Sequence, residues 1–367
     1  VPQAGLNHTT ATALVVPQVH HPAMDNDETQ LFRSLLDAQH GVMTTVQLRA
    51  CGFTPKAIGH SVETGQWLRV FRNVICVTNG PMSRQMELQA ALLYGGGSAI
   101  LSHDTAAHEW GMLRRPAGPI HLTVPRNCSA ISQPPTWRHV LIRPTSLSNA
   151  CIHPGVVLHR SLAIEHIGVD TDPRRTSKED TVLDLAVSEA TAHEAAAVFV
   201  SAMTNGRVSV AAMRRKIELR RPRRYKKILL DALSLLAGGV QSVLEFRYAT
   251  DVERAHGLPS GRRQAPHLVG DRVLFEDVEY AEGGLIVRLD GQQFHSARNV
   301  RFRDRLRDNA AELSDRARLV YGWQEVSQDP CGVYREVREV LVREGWTDAS
   351  YACERCAVVR LSAAQGT

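Results

Sequence analysis

The 367-residue chain contains no run approaching the roughly 18 consecutive apolar residues of a membrane span. Its N-terminus lacks the basic start and apolar centre of a secretory signal, so neither membrane insertion nor secretion is expected. The seven cysteines, Cys51, Cys76, Cys128, Cys151, Cys331, Cys353 and Cys356, are odd in number and scattered. That excludes a disulfide framework and fits a reducing cytoplasm. Charge of one sign does not dominate: 43 Lys+Arg against 38 Asp+Glu leave a net +5, which permits nucleic-acid binding without demanding it. Residues 1–23 have no Lys, Arg, Asp or Glu and no periodicity. They read as part of a disordered tail over 1–26, with Met24 a candidate natural start.

What remains is ordinary globular text, 43% apolar and 22% charged, long enough at about 150 residues per domain for two or three domains. The expected class is multi-domain α+β. From Asp27, Leu31, Leu35 and Leu36 followed by Gly41 predict a first helix, and a second spans Thr45 to about Gly52. Thr54 before Pro55 is an N-cap and first-turn proline, starting a third helix through Ile58 and Val62 to Gly65. Trp67 to Val77 is β-branched and aromatic, broken by Asn73, and predicts a hairpin. Together 27–80 reads as a winged helix-turn-helix.

Residues 81–213 read as a central mixed α/β domain. Helices are expected over Leu88–Tyr94, from Ser102 through Trp110, over Thr181–Ala190 and over Glu194–Met203. Strands are expected at Ile120–Val124, Val140–Ile142 and Val156–His159. The strongly basic segment 214–227, interrupted by Pro222, predicts a linker or exposed helix junction. In 228–345 a helix over Leu229–Leu236 precedes strands at Val273–Tyr280 and Leu285–Asp290, joined at Glu282-Gly-Gly284. Charged helices follow at Val300–Leu313 and Tyr334–Glu344, leaving 346–367 as a C-terminal tail.

In a winged helix the third helix enters the major groove and the wing grips phosphates. Lys56 and His60 on the exposed side of that helix, with Arg69 and Arg72 on the hairpin, are the candidate DNA contacts. Arg220, Arg221, Arg223 and Arg224 add candidate phosphate contacts from the basic segment, against the alternative of a solvated linker. His103 and His108 stand five residues apart, a poor spacing for one helix face, and read as capping or core residues. Cys353-Glu-Arg-Cys356 is a lone CxxC. Zinc would need Cys331 or a distant His as further ligands, and without them the pair reads as reduced thiols.

Residues 30–80, Leu88-Gln-Ala-Ala-Leu-Leu, Ser102-His-Asp-Thr-Ala-Ala-His-Glu-Trp-Gly111 and Thr181-Val-Leu-Asp-Leu-Ala186 resemble AbiEi-type antitoxins of bacterial abortive-infection systems over about the first 200 residues. The resemblance implies a DNA-binding domain that represses its own operon and a second domain that neutralises a nucleotidyltransferase-like toxin. Ser242-Val-Leu-Glu245, Gly257-Leu-Pro with Gln264, Asp277, Leu289-Asp-Gly291 with His295, then Arg303-Asp304 and Arg307-Asp308-Asn309 resemble the very-short-patch-repair-like branch of the PD-(D/E)XK nuclease fold, over about 228–328. That likeness implies a restriction-endonuclease-like domain, with Glu245, Asp277 and Asp290 as Mg²⁺ ligands and His295 as a proton-transfer residue.

The family's strand pattern reads Glu-x-Asp-Gly, where this chain has Arg288-Leu-Asp-Gly291. A guanidinium stays protonated and cannot ligate a metal, so it would compete with the cation for Asp277 and Asp290. The alternative is that Arg288 binds the scissile phosphate. The expected function is a DNA-binding, antitoxin-like transcriptional regulator with a degenerate nuclease-fold domain and duplex DNA as partner. The alternative is a Mg²⁺-dependent DNA endonuclease targeted by the winged helix.

Overall fold

The computed structural model describes residues 25–114, 118–143, 146–269, 272–281, 284–290 and 316–356. The chain forms mixed α/β structure in two compact units, 1–109 with 114–177 and 110–113 with 178–367.

In the first unit, α1 (Asn26–Ala38) begins in a capping box: Asp25 accepts the Glu28 N–H at 2.7 Å and Glu28 accepts the Asp25 N–H at 3.2 Å. β1 (Val42–Thr44) leads into α2 (Thr45–Ala50), and α3 (Pro55–Glu63) starts at the Thr54 cap with proline in its first turn. β2 (Leu68–Phe71) and β3 (Val74–Cys76) make the expected hairpin, and β1 joins it to give an antiparallel sheet of order β1-β3-β2. Three residues are too few to show a period of two, which hid β1 in the sequence. Phe32, Phe53 and Trp67 hold this region together, with ring centroids 5.3 and 5.2 Å apart. Met43, Leu48, Ile58 and Ile75 are buried around them, each contributing about 1.5–3 kcal/mol of transfer free energy.

The rest of this unit runs α4 (Arg84–Gly95), β4 (Ile100–Leu101), α5 (His103–Glu109), β5 (Ile120–Pro125), β6 (Thr136–Arg143), β7 (Ser146–His153), β8 (Val156–Ser161), α6 (Ile164–Ile167), β9 (Gly168–Val169) and β10 (Arg175–Thr176). One sheet has the order β8-β5-β4-β10-β9, and β6 and β7 pair separately. His153 is fully buried at the end of β7. Its Nδ1 accepts the Gly155 N–H at 3.1 Å, so its Nε2–H donates to the Glu87 carbonyl at 2.9 Å. Acceptance at Nδ1 requires the neutral ring.

The second unit opens with α7 (Lys178–Ser188), α8 (Ala192–Asn205), α9 (Val210–Arg220) and α10 (Lys226–Ala237). The basic segment is therefore the last part of α9, a left-handed turn at Arg221 and the start of α10. α11 (Val243–Arg247) continues into a π-helical stretch, Tyr248–Arg254. Then come β11 (Arg262–Val269), β12 (Arg272–Tyr280), β13 (Leu285–Asp290), β14 (Ala317–Gly322), α12 (Trp323–Gln328) and α13 (Pro330–Arg343). The sheet order is β11-β12-β13-β14. The first three strands are antiparallel, whereas β14 lies parallel to β13 in a register running from Leu285–Ala317 to Asp290–Gly322. Tyr248 and Val252 of the π-helical stretch, Val278, Leu285 and Val287 of the sheet, and Val333, Val337 and Leu341 of α13 share one core.

β13 has the bounds its text predicts. β11 was not expected, because it carries Pro266 and a kink at Gln264 (φ +48°) that breaks the alternation. Both are tolerated because β11 is an edge strand. The helix expected over 300–313, Gly291 and His295 lie outside the described residues.

Burial pushes the His153 pKa down to about 4. A folded value below the ordinary 6.5 means that stability is complete above pH 6.5 and is lost as pH falls through 4, by about 2–3 kcal/mol for a fully excluded imidazolium. The urea midpoint of the first unit should fall steadily between pH 6.5 and 4, and His153→Gln should flatten that fall. Equal slopes in the two proteins would contradict the assignment.

Candidate functional site

Two of the candidate acids, Glu245 and Asp277, are electrostatic neighbours near the end of the β12–β13 ladder. The ladder pairs Tyr280–Leu285, Glu279–Ile286 and Val278–Val287. The Asp277 carboxylate then accepts the Leu289 N–H at 2.8 Å, so a side chain takes the place of a backbone acceptor. Glu245 sits in the first turn of α11 and is buried. Its Oε2 accepts the Gln241 N–H at 3.0 Å and its Oε1 accepts the Ser242 hydroxyl at 3.1 Å, while Ser242 caps the Glu245 N–H. Burial pushes the Glu245 carboxyl above its ordinary range, and the negative charge of Asp277 adds to the push. Glu245 is thus a capping residue and also an electrostatic neighbour of Asp277. Val287 and Leu289 pack on the core, so alternation turns Arg288 and Asp290 to the other face, with Asp290 exposed. Of the predicted residues, Glu245 and Asp277 are neighbours, and Arg288 and Asp290 lie on the strand paired with that of Asp277.

Behind these acids lies a buried polar network that the sequence did not suggest. Glu253 is 3% exposed and accepts from the Tyr280 hydroxyl at 2.6 Å, from the Gly261 N–H at 3.1 Å and from the Arg263 guanidinium. The Tyr248 and Tyr280 hydroxyls are 3.0 Å apart, and the Arg263 guanidinium lies 5.6 Å from the Tyr248 ring centroid. Burial raises Glu253, and the Arg263 cation acts against that rise.

In the first unit Lys56 and His60 are exposed on α3 while Ile58 faces the core, as predicted. Arg69 and Arg72 are exposed on the hairpin, where one Arg69 donor bonds the Arg72 carbonyl at 2.9 Å across the turn. The basic segment forms the α9–α10 junction, and some of its cations also bond α7. Arg220 bonds Asp184 at 2.9 Å and Asp180 at 3.3 Å, and Lys216 bonds Asp180 at 2.6 Å. Asp180 is fully buried, and burial pushes the Asp184 carboxyl up to about 6 even with Arg220 beside it. Arg224 donates to the Val187 and Glu189 carbonyls, both at 2.8 Å, closing the C-terminal end of α7. Composition cannot distinguish a cation that faces a buried acid from one that faces solvent. Arg220 and Arg224 keep exposed surface while making these bonds, and Arg214, Arg215, Arg221 and Arg223 are exposed as well.

Among the described residues, two groups of His and Cys side chains lie close together. His103 belongs to a group with His121 and His159. It stacks on His159 with centroids 3.6 Å apart and an angle of 13°, and His121 Nδ1 is 3.1 Å from His159 Nε2. Stacked rings hold their nitrogen lone pairs in parallel planes, a poor arrangement for ligating a shared ion. In the second unit, Cys353 and Cys356 are joined by Cys331 and His256, all four ligand atoms lying within 4.8 Å of one another.

The inward-facing cations should matter for stability and the outward ones should not. Arg220→Ala leaves two buried carboxylates short of a partner and should cost about 2–4 kcal/mol in urea unfolding. Arg224→Ala should cost about 1–2 kcal/mol, while Arg221→Ala and Arg223→Ala should stay within about 0.5 kcal/mol of the parent. Equal costs at all four positions would contradict the geometry. Among the described residues no helix is long and apolar enough to cross a membrane. Compared with protein-family models and with curated proteins, the chain matches none.

Proposed function

We propose that the chain is a DNA-binding regulator of the antitoxin type, whose second unit has a restriction-endonuclease-like sheet that holds duplex DNA without cutting it. The order α1-β1-α2-α3-β2-β3 with the sheet β1-β3-β2 supports a winged helix that offers Lys56 and His60 to the groove and Arg72 to phosphate. A capped helix, three antiparallel strands and a fourth parallel strand support the PD-(D/E)XK reading of the second unit. Arg221 and Arg223 are its exposed cations for the phosphate backbone. The partner implied by the resemblance of the first 200 residues is a nucleotidyltransferase-like toxin, and the compartment is the cytoplasm.

The observation that carries the non-cutting part is Arg288. It precedes Leu289, whose N–H the Asp277 carboxylate accepts, and by alternation it shares a face with Asp290. A fixed cation at the acid cluster opposes a divalent ion, so the donor set does not fit a Mg²⁺ site and no metal-dependent step is derived from it. The endonuclease reading rests on one contrary observation: the charge of Asp277 acts on Glu245, as two convergent metal ligands would.

Supercoiled plasmid in Mg²⁺ or Mn²⁺ separates the two. The unmodified chain should leave it supercoiled, and Arg288→Glu, which adds a carboxylate beside Asp290, should produce nicking that Asp277→Ala abolishes. Circular dichroism must first show each variant folded. Metal-dependent cleavage by the unmodified chain that is lost in Asp277→Ala would overturn the proposal in favour of the enzyme.

A further inference from the structure

We propose that His256, Cys331, Cys353 and Cys356 bind one zinc ion in a closed tetrahedral site that fastens the C-terminal segment to the second unit.

The distances carry the argument. Zinc bonds of about 2.3 Å to sulfur and about 2.0–2.1 Å to nitrogen set tetrahedral edges of about 3.8 Å between sulfurs and about 3.6 Å between sulfur and nitrogen. Cys331 Sγ and Cys353 Sγ are 3.6 Å apart, and Cys356 Sγ is 3.6 Å from His256 Nε2. A disulfide would bring two sulfurs to about 2.05 Å, so the cysteines are arranged around a common point and not against one another. Three soft thiolates and an imidazole suit zinc, and they do not suit the hard cations that carboxylates hold.

The surroundings prepare each ligand. His256 is fully buried, and its Nδ1 is 2.9 Å from the Val252 carbonyl. Nδ1 therefore carries the proton and Nε2 presents its lone pair to the cysteines, the second-shell arrangement of a metal-bound histidine. The Tyr334 ring stacks on the imidazole at 4.2 Å with an angle of 8°, fixing its plane. Cys331 lies in the first turn of α13 beside Pro330. The Cys356 N–H points at Cys353 Sγ at 3.5 Å. Outside the ligands, Tyr351 donates its N–H to the His256 carbonyl and its hydroxyl to the Arg254 carbonyl, both at 2.9 Å. Gly257, at φ +70°, leaves room for the Tyr351 ring, which a Cβ there would meet at 2.5 Å. Four protein ligands leave no open position for substrate, so the ion's role is structural.

Elemental analysis of the full chain, purified without chelator, should find one zinc per chain. Replacing it with Co²⁺ should give the tetrahedral d–d bands and thiolate charge-transfer absorption of an S₃N site. A mercurial titration of the native protein, read with a chromogenic chelator, should release the zinc as three thiols react. Cys356→Ser should lose the metal, and Cys151→Ser, an exposed cysteine of the first unit, should keep it. If Cys356→Ser fails to fold, the mercurial titration and the Co²⁺ spectrum of the native chain decide. A zinc-free protein without a Co²⁺ spectrum, a Cys331–Cys353 disulfide in the native protein, or iron with labile sulfide would each overturn the proposal.

Discussion

The second unit depends on Glu253. Its carboxylate is nearly excluded from water and is kept there by the Arg263 guanidinium, the Tyr280 hydroxyl and the Gly261 N–H. These partners come from β11, from the end of β12 and from the loop before the sheet, while Glu253 itself belongs to the π-helical stretch after α11. A buried ion pair is costly unless its remaining hydrogen-bonding capacity is satisfied. Its benefit here is register, because it ties the helical segment to two strands at one place. Glu245, on the helix before Glu253, therefore faces Asp277 at the fork of β12 and β13. His256, just after Glu253, is likewise delivered to the cysteines. The Glu245–Asp277 pair and the His256–cysteine cluster both flank the segment that Glu253 fixes.

Charge in this chain is divided by direction and not by sequence position. In the segment from Arg214 to Lys227, Lys216, Arg220 and Arg224 turn towards α7, two of them onto buried acids and one onto helix-terminal carbonyls. Their neighbours Arg214, Arg215, Arg221 and Arg223 remain in water. The first group stabilises the fold, because removing any one takes a hydrogen-bond partner from the Asp180–Asp184 pair or from the C-terminal carbonyls of α7. Only the second can exchange small counterions for a polyanion at little structural cost. In the function proposed above, Arg288 follows a similar logic: its fixed positive charge disfavours a divalent cation and favours a phosphate diester.

Local chemistry made part of this legible. The Thr54-Pro55 start of α3, the hairpin around Asn73 and the bounds of β13 are set by caps, turn residues and alternation, which act within a few residues. β1 was too short to show a period, and β11 hid behind Pro266 and the kink at Gln264 on a sheet edge. Sites are harder, because their ligands meet through the fold. Asp277 and Glu245 were found from a resemblance, whereas Glu253 and Arg263 look like ordinary surface charges in the text. The CxxC at Cys353 was visible as half of a site. The other half, Cys331 and His256, is supplied by the first turn of α13 and by the segment after the π-helical stretch, elements that no spacing rule connects. The bonds of Arg220 and Arg224 are hidden in the sequence for the same reason, since Asp180, Asp184 and the end of α7 lie far away along the chain.

The central claim is that this chain holds duplex DNA and leaves it intact. An end-labelled duplex titrated with the full chain in Mg²⁺ at stepped salt concentrations, then recovered and run on a denaturing gel, tests it most directly. Affinity should fall linearly on a log–log plot, with a slope of about −0.9 per phosphate contact, and the recovered strands should be full length. Binding that ignores salt, or strands recovered as fragments, would contradict it.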